Sequence, residues 1–342
     1  MDFDSEHMPV LTSQSKWLLT GVAGFIGSNI LEELLRQDQK VVGVDNFSTG
    51  FKSNLDSVKE AVGEKKWKNF TLHEMDIIED DKLKKVSVGC EYVLHQAALG
   101  SVPRSIKDPL NSHHSNVTGF LSVLDAARIN KVKKMVFASS SSVYGDNPKL
   151  PKQEDSIGKP LSPYAGTKLI DEIYADIFAR TYQLPFIGLR YFNVFGKRQS
   201  PNGEYAAVIP RWINEAILGK EVTIHGDGET SRDFCYIKNA VQANLLAAIA
   251  KPDADNRFYN VAFGERNTLK KLHEVIVKAL EQREINVQRS VLTFGPFRSG
   301  DIRHSLADIS KAKEKLGYNP KFDLCSGIDH SISWYISNSH SE

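Results

Sequence analysis

A glycine-rich segment near the N-terminus limits the folds that this chain of 342 residues can adopt. Trp17 to Thr20 is a short apolar run typical of a buried strand, and Gly21, Gly24 and Gly27 follow it. Apolar residues then recur at helical spacing. A strand, a glycine turn and a helix in this order predict a unit that holds a pyrophosphate at the helix N-terminus. The expected dinucleotide contacts in this segment are Gly21, Gly24, Phe25, Ile26 and Gly27.

An acidic residue closes the next apolar run, Val41 to Asp45. A carboxylate about 20 residues beyond such glycines can accept hydrogen bonds from the adenosine ribose, which is the role we expect for Asp45. The plainer alternative is a strand-end turn residue. Asn46 and not arginine follows it, so the expected cofactor is NAD rather than NADP.

Two further segments, from Phe70 to Glu74 and from Tyr92 to Ala98, are predicted to be the third and fourth strands of this unit. The first segment leads towards the adenine edge of the site, and the second ends in small residues that allow a close approach of the backbone. His95 has apolar neighbours in the second segment, and we interpret it as a core histidine rather than a catalyst. The cofactor contacts expected from these two segments are Asp76, Ile77, Gln96, Ala97 and Ala98.

Strands that alternate with helices predict an α/β fold, with a Rossmann-type doubly wound parallel sheet and its ligand at the carboxyl ends of the strands. After residue 190 the alternation loosens and the loops lengthen, which favours a smaller mixed α/β substrate domain. A helix and a strand further on are expected to return to the first domain. The expected division is an N-terminal tail over 1–16, an NAD-binding domain over 17–190 with 238–264, and a substrate domain over 191–237 and 265–342.

The composition excludes several kinds of protein. The formal net charge is +1, and no basic stripe indicates a nucleic-acid partner. No apolar run approaches the ~20 residues that span a bilayer, and the N-terminus lacks a secretory pattern, so we expect a cytoplasmic protein without membrane insertion. The three cysteines lack metal or redox spacing, so no metal site is expected.

Two amphipathic segments, Asn116 to Arg128 and Tyr164 to Tyr182, carry apolar residues over more than one face. One face suits burial on the sheet and the other suits a second subunit, which predicts a homodimer formed through a helix bundle. Asn116 itself is expected either to cap its helix or to fix the active-site strand through a water.

Hydroxyl side chains follow the apolar run Met135 to Ala138, and Tyr164 and Lys168 stand one helical turn apart further along the chain. A tyrosine with an ordinary pKa near ~10 is only about a thousandth ionised at neutral pH. A lysine ammonium and a positive nicotinamide ring both favour the phenolate, and a shift of roughly 3 units makes such a phenol a base at pH 7. This spacing is more often structural, so the catalytic interpretation depends on the dinucleotide site.

Taken together, these motifs resemble the extended short-chain dehydrogenase/reductase superfamily, and within it the nucleotide-sugar 4-epimerases. The resemblance covers nearly all of residues 17–335. The segments that carry it are 21–27, 45–50, 76–77, 95–98, Ser140 with Tyr164 and Lys168, 191–193, 226–228, 232–234 and 298–301.

The resemblance implies roles for three central residues. Tyr164 would remove the proton of a C4 hydroxyl, Ser140 would hold that hydroxyl, and Lys168 would bind the nicotinamide ribose and favour the phenolate. The further cofactor contacts that it implies are Asn46, Ser48, Thr49, Gly50, Tyr164, Lys168 and Tyr191. The implied contacts to a UDP-N-acetylhexosamine substrate are Ser101, Val102, Ser140, Ser141, Ser142, Tyr164, Asn193, Val208, His225, Arg232, Arg298, Asp301 and Ser305.

The resemblance also implies a chemical role for five other substrate contacts. Arg232 and Arg298 would clamp the diphosphate, because a planar guanidinium meets phosphate oxygens in bidentate fashion; a surface ion pair is the alternative for each. Asp301 would accept hydrogen bonds from the uridine ribose, and Asn193 would donate to the diphosphate or the sugar. His225 is either part of the uracil pocket or a plain loop residue.

Missing carboxylates narrow the reaction that the resemblance implies. The related 4,6-dehydratases have an Asp-Glu pair where this chain has Ser141 and Ser142. The UDP-glucuronate decarboxylases usually have a glutamate at the position of Ser142. Without an added acid and base, the chemistry is limited to reversible oxidation at one carbon. Which of Ser140, Ser141 and Ser142 relays the proton stays open.

Two segments bear on the sugar. Gly100 to Ser105 resembles bacterial enzymes that act on UDP-N-acetylhexosamines in polysaccharide synthesis. Ser305 stands where narrow UDP-galactose enzymes have a tyrosine, which leaves room for an acetamido group unless Ser305 is an ordinary loop serine. The expected reaction interconverts UDP-N-acetylglucosamine and UDP-N-acetylgalactosamine through a 4-keto intermediate, for surface polysaccharide. The alternatives are a UDP-glucose/galactose or UDP-(N-acetyl)hexuronate 4-epimerase, and a non-catalytic NAD-binding regulator.

Overall fold

One parallel sheet organises the chain. The structure is a computed structural model, and it describes residues 7–202, 206–285, 292–297 and 302–339. No helix within these ranges is both long enough and apolar enough to cross a membrane.

The strands, in chain order, are β1 (Lys16–Thr20), β2 (Lys40–Asp45), β3 (Phe70–Glu74), β4 (Tyr92–His95), β5 (Lys134–Ser140), β6 (Phe186–Tyr191), β7 (Asn193–Phe195), β8 (Val222–His225), β9 (Ser231–Arg232), β10 (Phe234–Tyr236), β11 (Arg257–Val261), β12 (Asn267–Thr268) and β13 (Leu292–Gly295).

The α-helices are α1 (Phe25–Arg36), α2 (Lys52–Trp67), α3 (Asp80–Val86), α4 (Val102–Lys107), α5 (Pro109–His113), α6 (Gly119–Ile129), α7 (Pro163–Tyr182), α8 (Val208–Ile217), α9 (Ile237–Ile249), α10 (Leu269–Glu281), α11 (Ser310–Leu316) and α12 (Leu324–Asn338). A π-helical turn joins α5 to α6 at His114–Thr118, and 3₁₀ turns lie at Ser141–Tyr144 and Pro252–Ala254.

Seven of the strands form the main sheet in the order β11-β6-β5-β4-β1-β2-β3, and every pair of neighbours is parallel. The strand order reverses between β1 and β4, and in such sheets the ligand binds outside the carboxyl ends of the strands at this point. The predicted α/β fold class is therefore confirmed. The far edge strand, β11, comes from the later part of the chain, where the sequence predicts a strand that returns to the first domain.

Side chains alternate across the sheet, so each face has its own helix layer. On β1, Leu18 belongs to the core that contains Phe120 of α6 and Phe178 of α7. Its neighbours Trp17 and Leu19 belong to the core on the opposite face, which α1 and α9 cover. Each fully buried leucine or phenylalanine stabilises the fold by roughly 1.5 to 3 kcal/mol relative to an exposed position.

The later part of the chain builds a smaller unit beside this sheet. Its helices α8, α10 and α12 pack together, and β8 pairs in parallel with β13. Ile213, Leu272 and Ile328, one from each helix, are fully buried and belong to the same core as the α1 face of the sheet. The two units therefore share one apolar interior. A groove remains between the carboxyl ends of the strands and the smaller unit, and it is available for ligands.

Residues 7–15, part of the expected N-terminal tail, pack against the first domain. The backbone N–H of Leu11 donates to Gln37 Oε1 at 2.9 Å. Gln242 Nε2 donates to the carbonyl of His7 at 2.5 Å. These bonds tie the segment to the ends of α1 and to α9.

Asn116 does not cap a helix, so that expectation is wrong. It lies within the π-helical turn that connects α5 to α6 without a break, and it is almost fully buried. The helical pattern therefore begins earlier than the apolar spacing indicates, because α5 is mostly polar. The bonds of Asn116 belong to the candidate site and are described there.

A buried ion cluster joins α1 to the loop after β7. Glu32 accepts from Arg36 at 3.0 Å, from Lys197 at 2.8 Å and from Arg198 at 2.7 Å, and the Arg198 side chain is 1% exposed. Burial raises the pKa of Glu32, but the charges of Lys197 and Arg198 outweigh this and lower the pKa from 4.5 to about 2. The carboxylate therefore stays ionised in the folded protein at any ordinary pH.

We expect Glu32→Gln to lower the free energy of unfolding by about 3 kcal/mol at pH 7, because it leaves the Arg198 guanidinium buried without its counter-ion. Since the folded pKa of Glu32 lies below the unfolded one, this stabilisation is complete above pH 4.5 and is lost as the pH falls through 2. Urea unfolding of both proteins at pH 7 and pH 3 measures the difference.

Glu33→Gln is the matched control, since the neighbouring Glu33 accepts from the neutral amide of Gln37 at 2.8 Å. It should cost less than about 1 kcal/mol at either pH. Equal losses for the two variants would contradict the assignment of the buried pair.

Candidate functional site

The loop between β1 and α1 is closed so tightly that only glycine fits. Gly21 has φ +68°, and a Cβ there would lie 2.7 Å from the backbone nitrogen of Ala97. A Cβ on Gly27 would lie 2.0 Å from the carbonyl oxygen of Gly21. Helix α1 begins at Phe25 with Gly24 as its N-cap, and no side chain caps it. The N–H groups of its first turn are thus available to phosphate oxygens.

A cavity of about 330 Å³, here called the dinucleotide cavity, opens at the carboxyl ends of β1, β2 and β4. It includes every cofactor contact that the sequence predicts apart from Tyr164, Lys168 and Tyr191. Its lining is Gly21, Gly24, Phe25, Ile26, Gly27, Val44, Asp45, Asn46, Ser48, Thr49, Gly50, Met75, Asp76, Ile77, Gln96, Ala97, Ala98, Leu99, Gly100 and Ser115.

The sequence did not predict five of these residues. Val44 and Met75 precede predicted contacts, and Leu99 and Gly100 continue the small-residue run after β4, so neighbouring positions gave a signal for them. Ser115 lies in the π-helical turn and carries no such signal.

Asp45 is held by the backbone at the end of β2. Its Oδ2 accepts from the N–H of Ala23 at 2.8 Å, and its Oδ1 accepts from the N–H of Phe47 at 2.8 Å. Burial raises the pKa of Asp45, and the two backbone bonds oppose that rise. Each carboxylate oxygen can accept a further bond, so the fixed group is suited to a ribose hydroxyl. Asn46 Nδ2 donates to Asp76 Oδ2 at 2.7 Å along the same edge. These groups fit NAD.

A second cavity of about 350 Å³, the central cavity, adjoins the first and shares Phe25, Ile26 and Gln96 with it. Here β5 ends and α7 begins. Ser162 caps α7 by accepting from the N–H of Ala165 at 3.1 Å. The predicted site residues that line this cavity are Ser140, Ser141, Tyr164, Lys168, Tyr191 and Asn193.

Tyr164 is half-buried in the first turn of α7, and its backbone N–H donates to Ser105 Oγ of α4 at 3.0 Å. One turn later, the Lys168 side chain is 2% exposed. Its Nζ donates to the carbonyl of Ala138 at 3.0 Å and lies 3.3 Å from Asp171 Oδ2. An ammonium has three donors, so one remains for a ligand in the cavity.

The consecutive serines differ in their surroundings. Ser140 Oγ lines the central cavity and accepts from the N–H of Ser142 at 3.1 Å. Ser139 Oγ donates to Glu172 Oε1 at 2.6 Å. Ser142 Oγ is buried and has no hydrogen-bond partner among the residues described. Ser140 and Ser141 are therefore better placed than Ser142 to meet a substrate hydroxyl.

Tyr191 belongs to a closed ring of polar groups in the central cavity. Its hydroxyl accepts from Asn244 Nδ2 at 2.7 Å and donates to Gln96 Oε1 at 3.1 Å. Gln96 Nε2 completes the ring by donating to Asn244 Oδ1 at 3.0 Å. Burial raises the pKa of Tyr191 well above its ordinary value, so the hydroxyl stays protonated and fixes the Gln96 amide.

Asn116 connects the cofactor loop directly to α7. Its Oδ1 accepts from the N–H of Leu99 at 2.7 Å, and its Nδ2 donates to the Leu99 carbonyl at 3.2 Å and to Thr167 Oγ1 at 3.1 Å. The residue that follows Thr167 is Lys168. Asn116 thus holds the loop after β4 against α7 by direct hydrogen bonds.

His95 lies at the end of β4 and is almost fully buried. Its Nδ1 is 2.7 Å from Thr20 Oγ1, and its ring packs against Phe120. Burial, with a smaller contribution from Lys168, lowers the pKa of His95 to about 3. A neutral histidine in this position agrees with the core interpretation.

The third and largest cavity, the outer cavity, has a volume of about 600 Å³ and lies between the sheet and the smaller unit. It shares Asn193, Val194 and Gln199 with the central cavity. The predicted substrate contacts that line it are Ser101, Val102, Asn193, Val208, His225 and Arg232. The sequence missed Gln199, which bridges two cavities from the long loop after β7, and the second lining arginine, Arg211.

Three other predicted substrate residues are not among the described lining residues of the outer cavity. Arg298 and Asp301 lie outside the residues that the structure describes. Ser305 is half-buried beside the outer cavity, where its N–H donates to the carbonyl of Ser231 at 3.0 Å. It therefore lies next to the strand that carries Arg232.

Comparison with known proteins gives a consistent picture. The profile of the NAD dependent epimerase/dehydratase family matches residues 17–262. Among solved structures, the UDP-N-acetylglucosamine 4-epimerase of Methanobrevibacter ruminantium M1, in complex with UDP-N-acetylmuramic acid, is 38% identical with a TM-score of 0.87; the match covers 96% of this chain and 100% of that one.

Two other similar proteins are named for substrates other than UDP-N-acetylglucosamine. The UDP-glucose 4-epimerase of Thermotoga maritima, solved with UDP-glucose, is 34% identical with a TM-score of 0.85, over 94% of this chain and 99% of that one. The UDP-glucuronate 4-epimerase of Thermodesulfobacterium geofontis is 33% identical, over 94% of this chain and 96% of that protein.

We expect Gly27→Ala to weaken NAD binding at least about tenfold, because the added methyl overlaps the Gly21 carbonyl and must displace the phosphate loop. Gly166→Ala is the control, since a Cβ at Gly166 meets no atom within 4 Å. Calorimetric titration with NAD gives the dissociation constants, and circular dichroism establishes that both variants are folded. Unchanged affinity in a folded Gly27→Ala would contradict the placement of the pyrophosphate.

Proposed function

The chain belongs to the NAD dependent epimerase/dehydratase family, and on that premise we propose that this nucleotide-sugar 4-epimerase interconverts UDP-N-acetylglucosamine and UDP-N-acetylgalactosamine. The observation that carries the reaction type is the chemistry of the central cavity. Its described lining residues include two phenols, Tyr164 and the hydrogen-bonded Tyr191, one buried ammonium and several serine hydroxyls, but no aspartate or glutamate. Such a set suits reversible oxidation at one carbon and lacks the acid and base that removal of water would require.

Bound NAD supplies the hydride acceptor and donor at C4 of the sugar. Tyr164, as the phenolate, takes the proton of the C4 hydroxyl and later returns it. Ser140 Oγ holds the same hydroxyl from the end of β5. Lys168 favours the phenolate through its charge, and its remaining N–H binds the nicotinamide ribose. The Lys168 side chain is 2% exposed, so solvent screens its charge less than that of a surface ammonium.

Inversion at C4 requires that the 4-keto sugar present its other face. The outer cavity is suited to hold the UDP through Arg232 and Asn193, with Arg298 and Asp301 proposed to complete the grip. The sugar then turns about the diphosphate linkage in the space of the central cavity. Firm binding of UDP and loose binding of the sugar leave few residues to select the sugar.

The acetamido substrates are supported by three observations. Ser101 and Val102, from the segment that resembles enzymes of UDP-N-acetylhexosamines, line the outer cavity. Ser305 is small and lies beside the strand of Arg232. The similar protein of Methanobrevibacter ruminantium is named a UDP-N-acetylglucosamine 4-epimerase, and the sugar in that name carries an acetamido group. We assign the product to surface polysaccharide synthesis, and UDP-glucose and UDP-glucuronate remain the competing substrates.

We also propose a homodimer formed through α6 and α7. Ile173 and Ile177 of α7 are 51% and 40% exposed, and Ile129 at the end of α6 is 50% exposed. The opposite side of α7 packs on the sheet through Ala175 and Phe178. A helix that is apolar on both sides is suited to burial against a second subunit.

Tyr164→Phe should lower kcat by about a thousandfold or more while NAD stays bound, because the variant has no group to take the proton. Tyr182→Phe, on the exposed end of the same helix, should be as active as the unchanged protein. Product formation from each UDP-sugar, followed by chromatography, gives the rates. Full activity of Tyr164→Phe would show that the base is another residue or that the NAD site serves regulation.

The same assay on UDP-N-acetylglucosamine, UDP-glucose and UDP-glucuronate tests the substrate. We expect the acetamido sugar to have the highest kcat/KM. An enzyme that turns over the other two and leaves the acetamido sugar unchanged would overturn the assignment while preserving the reaction type.

Ser305→Tyr should abolish turnover of acetamido sugars and spare UDP-glucose, since a phenol there would fill the space proposed for the acetamido group. Ser310→Tyr, at the exposed start of α11, is the control for a new tyrosine on the same segment. Unchanged selectivity in Ser305→Tyr would show that the acetamido group lies elsewhere.

A further inference from the structure

A buried acid behind Lys168 has no part in the reaction described above. We propose that Asp171 is a positioning residue that orients the Lys168 ammonium and partly offsets its charge, so that the Lys168–Asp171 pair, and not Lys168 alone, sets the acidity of Tyr164. This inference rests on the proposed roles of Tyr164 and Lys168. It adds a residue that the motif Tyr-x-x-x-Lys does not contain.

The counter-ion of Lys168 is Asp171 and not the neighbouring Glu172. Arg190 of β6 binds Glu172 in bidentate fashion, with Nε 2.9 Å from Oε1 and Nη2 2.8 Å from Oε2. Ser139 Oγ adds a third bond to Glu172. Glu172 is therefore satisfied by groups on β5 and β6, and it is not the counter-ion of the lysine.

Asp171 is placed for that task. Its side chain is 0% exposed, and its Oδ2 lies 3.3 Å from Lys168 Nζ, three residues earlier on α7. Its Oδ1 has no hydrogen-bond partner in the part of the chain that the structure describes. A carboxyl group buried without such a partner is costly, because water no longer solvates it. The residue therefore retains one strong interaction, which is with the ammonium.

This placement makes the charge of Asp171 responsive to its neighbours. Burial raises the pKa of Asp171 to about 7, the charge of Lys168 opposes the rise, and the charge of Glu172 adds to it. On the adjoining strands, Arg190 acts on Glu172, and His95 near Lys168 is neutral. An ionised Asp171 offsets part of the positive charge of Lys168 at the central cavity, whereas a protonated Asp171 leaves that charge in full.

The experiment follows the titration of one tyrosine in the NAD-bound protein. Ultraviolet difference absorbance reports tyrosinate formation, and the same measurement on Tyr164→Phe identifies the contribution of Tyr164. In Asp171→Asn the amide oxygen still accepts from Lys168 but carries no charge, so the midpoint of the Tyr164 titration should fall by about one pH unit. Asp176→Asn is the control, because Asp176 is exposed on the same helix and pairs with Arg180.

The outcomes separate this inference from the proposed function. If Tyr164→Phe removes no titration near neutral pH, the assignment of the base fails. If Tyr164 titrates there and a folded Asp171→Asn leaves its midpoint unchanged, only the role of Asp171 is overturned. A fall equal to that in Asp176→Asn also overturns it, since the effect would then be one of general charge.

A second variant guards against misfolding. Asp171→Ser is smaller, cannot clash and carries no charge, so it should lower the midpoint in the same direction as Asp171→Asn. Circular dichroism and NAD binding show whether each variant is folded. If neither variant folds, Asp171 is a determinant of the fold, and the proposal that it tunes Lys168 is overturned.

Discussion

Burial of the Lys168 ammonium is the constraint on which the site depends. Removing such an ion from water costs several kcal/mol, and hydrogen-bond and ion-pair partners in the folded protein must offset this cost. The Ala138 carbonyl at the end of β5 and the Asp171 carboxylate provide them. Helix α7 packs against β5, and this contact places the lysine at the end of that strand. The strength of the ammonium as an electrostatic group follows from the same exclusion of water.

A separate buried polar network, which begins at Arg190, connects the sheet to the smaller unit. Arg190 donates to Tyr144 at 3.2 Å, and the Tyr144 hydroxyl donates to Asn260 Oδ1 at 2.6 Å. Asn260 Nδ2 in turn donates to the carbonyls of Lys152 and Asp308. These bonds connect strands β6 and β11 of the sheet with Tyr144, Lys152 and, in the smaller unit, Asp308.

Much of this arrangement could be predicted from the sequence, because local signals coincide with it. The run from Trp17 through Gly27 determines strand, turn and helix, and the dinucleotide cavity contains the contacts predicted there. Other features have no local signal. Asp171 looks like any polar residue of an amphipathic helix, and Gln199 is one position in a long loop. What distinguishes them is their surroundings: Asp171 is fully buried beside Lys168, and Gln199 lies between two cavities, and both depend on parts of the chain distant in sequence.

The position of β11 determines how the chain can assemble. This edge strand pairs with β6, although residues 192–256 lie between them, and α9 packs against both strands. Loops of that length close slowly, because chain entropy opposes them before the contacts form. The sheet is therefore incomplete on the ribosome until residue 261 has emerged, well after the smaller unit has begun. Synthesis therefore leaves the edge of β6 unpaired during that interval.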